Sequence, residues 1–206
     1  MLFRIKKNKL LLPSNQLFKL IFIMNFQAYQ HHFESILDQS IQSPPYDSEE
    51  FYSYVKLNQT RQNRWLKKGV IESDIINSIL SIDEPQEWVL ITEPWCGDAA
   101  HSVPFIIKLA SYNSLINVTI QLRDSDSEID KYLTNGSKSI PKLVVRRQNV
   151  DLFHWGPRPE VAQILVTDLK NNNADLHHIK EALQKWYNED QGKSIQQELL
   201  ALLQGS

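Results

Sequence analysis

The sequence predicts an α/β domain with helical additions at both ends. A short, continuous, β-rich apolar run at 88–92 (WVLIT) reads as a strand buried on both faces, and a helix starting at Gly97 follows it directly. A second strand at 117–123 alternates around Val118, Ile120 and Leu122, so the two strands and their helix form a right-handed crossover unit. Beyond them lie two more short strands, with helical periodicity on either side of the whole array. At 206 residues, 42% apolar and 22% charged, the chain is long enough to bury one sizeable core.

In chain order, Pro44-Pro45 leads to a helix from Asp47 or Ser48 to about Lys68, with Phe51, Tyr54, Val55, Leu57 and Trp65 at helical spacing and Gly69 closing it. A shorter helix, 73–82, carries Ile75, Ile76, Ile79 and Leu80 on one side. After the 88–92 strand, the helix from Gly97 to about Ser111 turns Val103, Phe105, Ile106, Leu109 and Ala110 inward, and Pro104 is a candidate kink. Residues 126–133 read as a short helix ended by Asn135-Gly136. Strands at 142–146 and 152–155 are joined by a tight connection around Gln148-Asn149, and Pro159 opens the next helix. Closing helices are expected at 175–187 and 194–203.

Net charge is −2, and no segment joins dense Lys/Arg with interleaved aromatics, so neither a nucleic-acid nor a membrane partner is expected. Residues 1–23 differ from the rest in carrying five basic residues and no acid. Their apolar run is interrupted by Lys19, is too short to span a bilayer, and lacks a small-residue cleavage site. This stretch is read as a disordered leader or a spurious upstream extension, with Met24 opening the folded protein. Without it the 22 basic residues fall to 17 against 24 acidic, a net charge of about −7. The expected organisation is a leader at 1–23, a helical extension at 24–84 packed on the core, and the main α/β domain with its C-terminal helices at 85–206.

One cysteine, Cys96, excludes an internal disulfide and points to a reducing, cytoplasmic compartment. It stands where a strand has ended and a helix begins, near unpaired N–H groups and the positive end of the helix dipole. Thiols at helix N-termini can drop from about 8.5 to about 3.5–7.5, which makes the sulfur a nucleophile at neutral pH. Asp98, two residues on, opposes this by repelling a thiolate. Other polar residues have plainer expectations. Glu93 and Asp98 read as solvated turn residues and Arg158 as a surface cation. His101, five residues after Cys96, falls on a different helix face, while the pairs His31-His32 and His177-His178 point about 100° apart. No metal site and no cofactor are expected.

Trp95-Cys96-Gly97-Asp98-Ala99 after a buried strand resembles the thioredoxin signature, and Ser139-Ile140-Pro141 before the third strand resembles that family's cis-proline segment. The runs 92–100, 132–143 and 155–159 are similar to a single-cysteine subgroup of bacterial thioredoxin-like proteins. The resemblance implies a thioredoxin-like fold, a central mixed β-sheet flanked by helices. It also implies a site made of Cys96 as the catalytic thiol, with Trp95, Gly97, Asp98, Ala99, Ile140 and Pro141 contacting a bound polypeptide or thiol. Two departures matter. Ala99 replaces the family's resolving cysteine, and Leu90 stands where it buries an acid. Dithiol reductase chemistry is thereby excluded unless a partner donates the second sulfur, since a mixed disulfide on Cys96 has no second thiol in this chain to clear it.

Three functional readings follow. The first is a monothiol oxidoreductase exchanging with a protein or low-molecular-weight thiol or disulfide. The second is a redox-silent module that keeps the cleft for binding proteins or peptides. The third, from Cys96-Gly97-Asp98-Ala99, is glutaredoxin-like binding of glutathione or an iron–sulfur cluster; a carboxylate beside an anionic cluster disfavours it.

Overall fold

The computed structural model describes residues 23–41 and 43–205; of the expected leader, only Ile23 falls among them. The chain enters through a two-residue strand, β1 (Ile23–Met24), and Asn25 caps helix α1 (Phe26–Leu37) by accepting from the amide of Ala28 at 2.8 Å. Helices α2 (Glu49–Lys68) and α3 (Ser73–Leu80) follow. Next come β2 (Gln86–Thr92), α4 (Gly97–Ala110), β3 (Ile116–Leu122), β4 (Lys142–Arg147) and β5 (Val150–Trp155). Helices α5 (Glu160–Asn171), α6 (Leu176–Asp190) and α7 (Lys193–Gln204) complete the chain. Apart from the helix expected at 126–133, the expected strands and helices are present, with ends shifted by at most three residues. Helix α1 falls in the expected helical extension but has no separate expectation of its own, and neither has β1, whose two residues are too few to show a strand period.

The five strands form one mixed sheet in the order β1-β3-β2-β4-β5. Strand β2 runs parallel to β3 and antiparallel to β4, and β5 and β1 form antiparallel edges. Being central, β2 is covered on both faces. Trp88, Leu90 and Ile91 are wholly buried, as the unbroken apolar run requires. The β4–β5 connection turns at Gln148 and Asn149, both left-handed, the conformation a two-residue hairpin turn demands. With its mixed sheet flanked by helices, and further helices at both ends, the architecture is that of a thioredoxin-like α/β fold.

The helix expected at 126–133 is instead a single 3₁₀ turn, Ile129–Lys131. Its buried residues are Ile129 and Tyr132, three apart, which suits a three-residue repeat. Glu128, just before the turn, is committed elsewhere. It receives both terminal nitrogens of Arg146 at 3.0 and 2.8 Å and bonds with both polar ends of Gln121. The chain then reverses at Asn135-Gly136, both left-handed, in a small bridge between Thr134 and Ser137.

Helix α4 continues through Pro104 and buries all the residues expected inward. It packs against α2, α3, β3 and α7. The α6–α7 corner closes against it at Gln191 and Gly192, both with positive φ. A β-carbon on Gly192 would stand 2.2 Å from the ring of Phe105, which is itself 1% exposed and has nowhere to move. Gly136 has a similar φ of +77°, but a β-carbon there would meet nothing within 4 Å. Gly192→Ala should therefore cost roughly 2–4 kcal/mol, backbone strain plus overpacking, and Gly136→Ala only about 1 kcal/mol. Urea midpoints at unchanged m-value measure the difference.

Candidate functional site

Strand β2 ends at Thr92, and residues 93–96 carry the chain across the top of the sheet into α4. Cys96 is the N-cap residue of that helix, with extended backbone and no side-chain cap. Because β4 runs antiparallel to β2, with Lys142 opposite Ile91, the segment preceding β4 arrives at the same end of the sheet. The Ile140–Pro141 peptide bond there is cis, and the Cys96 thiol donates to the carbonyl of Ile140 at 3.3 Å.

Cys96 is 7% exposed. Burial and the nearby Asp98 push its pKa up to about 12, although the amides of Ala99 and Asp98 and the charge of Arg158 act the other way. The competition the sequence left open goes to desolvation. At neutral pH the sulfur is a neutral donor to Ile140, not an anion held by the helix terminus.

Asp98 and Arg158 depart from their expected solvated settings. Asp98 receives Nη2 and Nε of Arg158 at 2.6 and 3.2 Å, and its other oxygen accepts from the Tyr187 hydroxyl at 2.7 Å. The two side chains of the ion pair are 10% and 19% exposed, so it is largely shielded from water. This contact ties the start of α4 to the loop before α5 and to α6. His101 extends the tie, stacking on Tyr187 with ring centroids 4.3 Å apart. Its Nδ1 accepts from Trp65 Nε1 at 2.9 Å, leaving Nε2 to donate to Gln184 at 3.1 Å. Burial drives His101 down to about 4, so it works as a neutral bracket between α2, α4 and α6.

Glu93 is likewise no solvated turn residue, being 3% exposed. It accepts from the Tyr46 hydroxyl at 3.0 Å and from the amide of Asp124 at 2.8 Å, clamping the Cys96 turn to the segments before α2 and after β3. Burial raises its pKa to about 7, with the Asp124 charge adding to the shift and the Asp124 amide opposing it.

Above the turn lies a cleft of about 1100 Å³, walled by α2 on one side and α6 on the other. Of the residues expected to contact a ligand, Trp95, Gly97, Asp98 and Ile140 line it together with Cys96; Ala99 and Pro141 are buried outside its lining. Trp95 is fixed edge-on by Phe51, and the guanidinium of Arg123 lies over its ring at 4.5 Å. From α2, Phe51, Tyr54, Leu57 and Arg61 complete the wall. Arg61, His101 and Tyr187 had no signal of their own in the sequence. Their common position appears only when α2 and α6 close over α4. Among the described residues no group of three or more His, Cys, Asp or Glu is placed to hold a metal ion, and no helix is long and apolar enough to cross a membrane.

The two buried titrating groups have opposite consequences for stability. Folded Glu93 keeps its proton up to about pH 7, whereas the unfolded carboxyl loses it near about 4.3, so stability falls as pH rises through that window. His101 is protonated in the unfolded chain below about 6.5 but in the folded one only below about 4, so its contribution rises with pH. Glu93→Gln removes only the first effect. Relative to the parent chain its stability should climb by about 2–3 kcal/mol between pH 4.5 and 7. Urea midpoints across that range test this, and a pH-independent difference would show that Glu93 ionises normally.

A family model described as Thioredoxin matches residues 45–170. No curated protein sequence matches the chain. Among solved structures, a protein of unknown function from Pseudomonas aeruginosa is similar with a TM-score of 0.54 and 16% identity, covering 75% of this chain and 91% of that one. An HIV epitope scaffold is similar with a TM-score of 0.51 and 13% identity, over 89% of this chain and 99% of its own. At these identities the two structures speak for the fold alone. The family match spans more than half of the chain, including the Cys96 turn, the Ile140–Pro141 segment and all four longer strands, and the protein belongs to the thioredoxin family.

Proposed function

We propose that this chain is a thioredoxin-fold binding protein that receives an extended polypeptide in the cleft over Cys96 and leaves its covalent state unchanged at neutral pH. The observation that carries this reading is the thiol itself, buried and donating its proton to the Ile140 carbonyl. A thiolate would lose that hydrogen bond and face the carbonyl oxygen with a like partial charge. Ala99, 1% exposed, occupies the resolving position with a methyl group, so no second sulfur can release a captured partner. What such a protein keeps is the cleft, with the aromatic ledge of Trp95 and Phe51 beside Ile140.

Monothiol exchange is the second reading, favoured by the amides of Ala99 and Asp98, both of which act on Cys96 to stabilise the anion. In that reaction the Cys96 thiol first gives up its proton to solvent, and the thiolate attacks one sulfur of a bound disulfide; a mixed disulfide forms as the S–S bond breaks, and the other sulfur leaves as a thiolate. An outside thiol must then reverse it.

Alkylation of Cys96 by iodoacetamide as a function of pH separates the two. The binding reading expects slow modification with no inflection below pH 9, consistent with a thiol pushed up to about 12. An inflection below pH 8 would overturn it in favour of exchange. The binding reading also expects Cys96→Ser to hold peptides as well as the parent chain does.

A further inference from the structure

Among the cations that line the cleft beside the Cys96 turn, Arg61 has no acid of its own among the described residues. Arg158 is paired with Asp98, and Arg123 lies on Trp95 with Asp124 bonded to it at 2.7 and 2.9 Å. Among the described residues Arg61, projecting from α2, bonds to the side-chain oxygen of Asn58 alone, at 3.1 Å. That oxygen is neutral, and the amide end of Asn58 is occupied by the Pro94 carbonyl. The guanidinium is half-buried, with Nη1 3.9 Å from where a β-carbon on Gly97 would stand. It therefore overhangs the residue next to Cys96, on the cleft side.

A guanidinium withdrawn from water without a counter-charge is an unfavourable arrangement unless something else supplies the anion. Burial pushes Arg61 down with no acid acting the other way, and its charge, with that of Arg64, helps hold His101 neutral. Nearby carboxylates do not answer it. Asp98 is held by Arg158 and Tyr187, and Glu50 accepts from Tyr54 at 3.1 Å. On α6, Glu181 lies 3.5 Å from His177 and Glu189 lies 3.9 Å from Lys185, all four exposed.

Resting on the reading of this cleft as a polypeptide site, we propose that Arg61 is its anion-recognition point. The bound segment carries an aspartate or glutamate whose carboxylate lies over Gly97 and pairs with the guanidinium in a two-pronged contact. Charge selects the occupant, and the aromatic ledge at Trp95 and Phe51 accommodates the apolar residues beside the acid. Lysine could supply the charge but not the planar fork, so it keeps a preference for acids and loses part of the affinity.

The test is a random dodecapeptide phage library selected on the immobilised full chain and on its Arg61→Gln and Arg61→Lys variants, with melting curves confirming that each variant is folded. The parent chain should enrich peptides with an acid at one recurring position, Arg61→Lys should retain that enrichment, and Arg61→Gln should lose it. In fluorescence anisotropy, changing that acid to its amide should weaken binding to the parent chain roughly tenfold or more and leave binding to Arg61→Gln unchanged. Peptides selected without an acid preference, or with one that survives in Arg61→Gln, would overturn the role of Arg61 while leaving the polypeptide site standing. Failure to select any peptide would overturn the polypeptide site itself, and the recognition point with it.

Discussion

The constraint on which the site depends is the position of β2 at the centre of the sheet, covered on both faces. A strand that buries Trp88, Leu90 and Ile91 completely cannot carry its polar turn residues until it has left the sheet, so the chemistry-bearing segment 93–98 is placed at the strand's end. The antiparallel pairing of β4 with β2 brings the Ile140–Pro141 segment to that same end, and the parallel pairing of β3 brings Arg123 and Asp124 there too. Cys96 meets Ile140, Glu93 meets Asp124 and Trp95 meets Arg123 because strand order and direction leave those chain ends side by side.

Around this corner the ionisable side chains are satisfied in pairs that point inward. Asp98 with Arg158 and Tyr187, Glu93 with Tyr46, and His101 with Trp65 and Gln184 each join α4 or its approach to a different element. A buried polar group left without its partner is costly, charged or neutral, so these contacts fix the relative placement of α2, α4 and α6. The same economy explains the state of Cys96. Asp98, a good helix-start residue, supplies negative charge beside a sulfur already shielded from water, and the proton stays on the sulfur. Among the described residues Arg61 stands outside this scheme as a cation facing the cleft without an acid, and the proposed selectivity of the cleft rests on it.

Much of the architecture follows from local chemistry. The β2 run, the inward face of α4, the tight reversal at Gln148-Asn149 and the stop at Gly69 are consequences of hydrophobic period and of residues suited to turns and helix ends. Where local chemistry was ambiguous, tertiary contacts ruled. The stretch 126–133 has enough polar and apolar residues for a helical turn or two, but the pull of Arg146 on Glu128 and the burial of Ile129 and Tyr132 at a three-residue spacing tighten it into 3₁₀ form. Strand β1 exists because β3 offers an open edge to Ile23 and Met24.

By itself the sequence determined that a lone thiol stands at a strand-to-helix turn with Ala99 in the resolving position, because identity and hydrophobic period are properties of the chain alone. It could not determine the thiol's charge. That depends on distances to groups far away in sequence: the Ile140 carbonyl, 44 residues on, the Arg158–Asp98 pair, 60 residues apart, and the Tyr187–Asp98 contact, 89 residues apart. Glu93, Arg158 and His101 read as ordinary polar residues for the same reason. Desolvation is a collective effect of everything packed around a group, and only the folded chain specifies what that is.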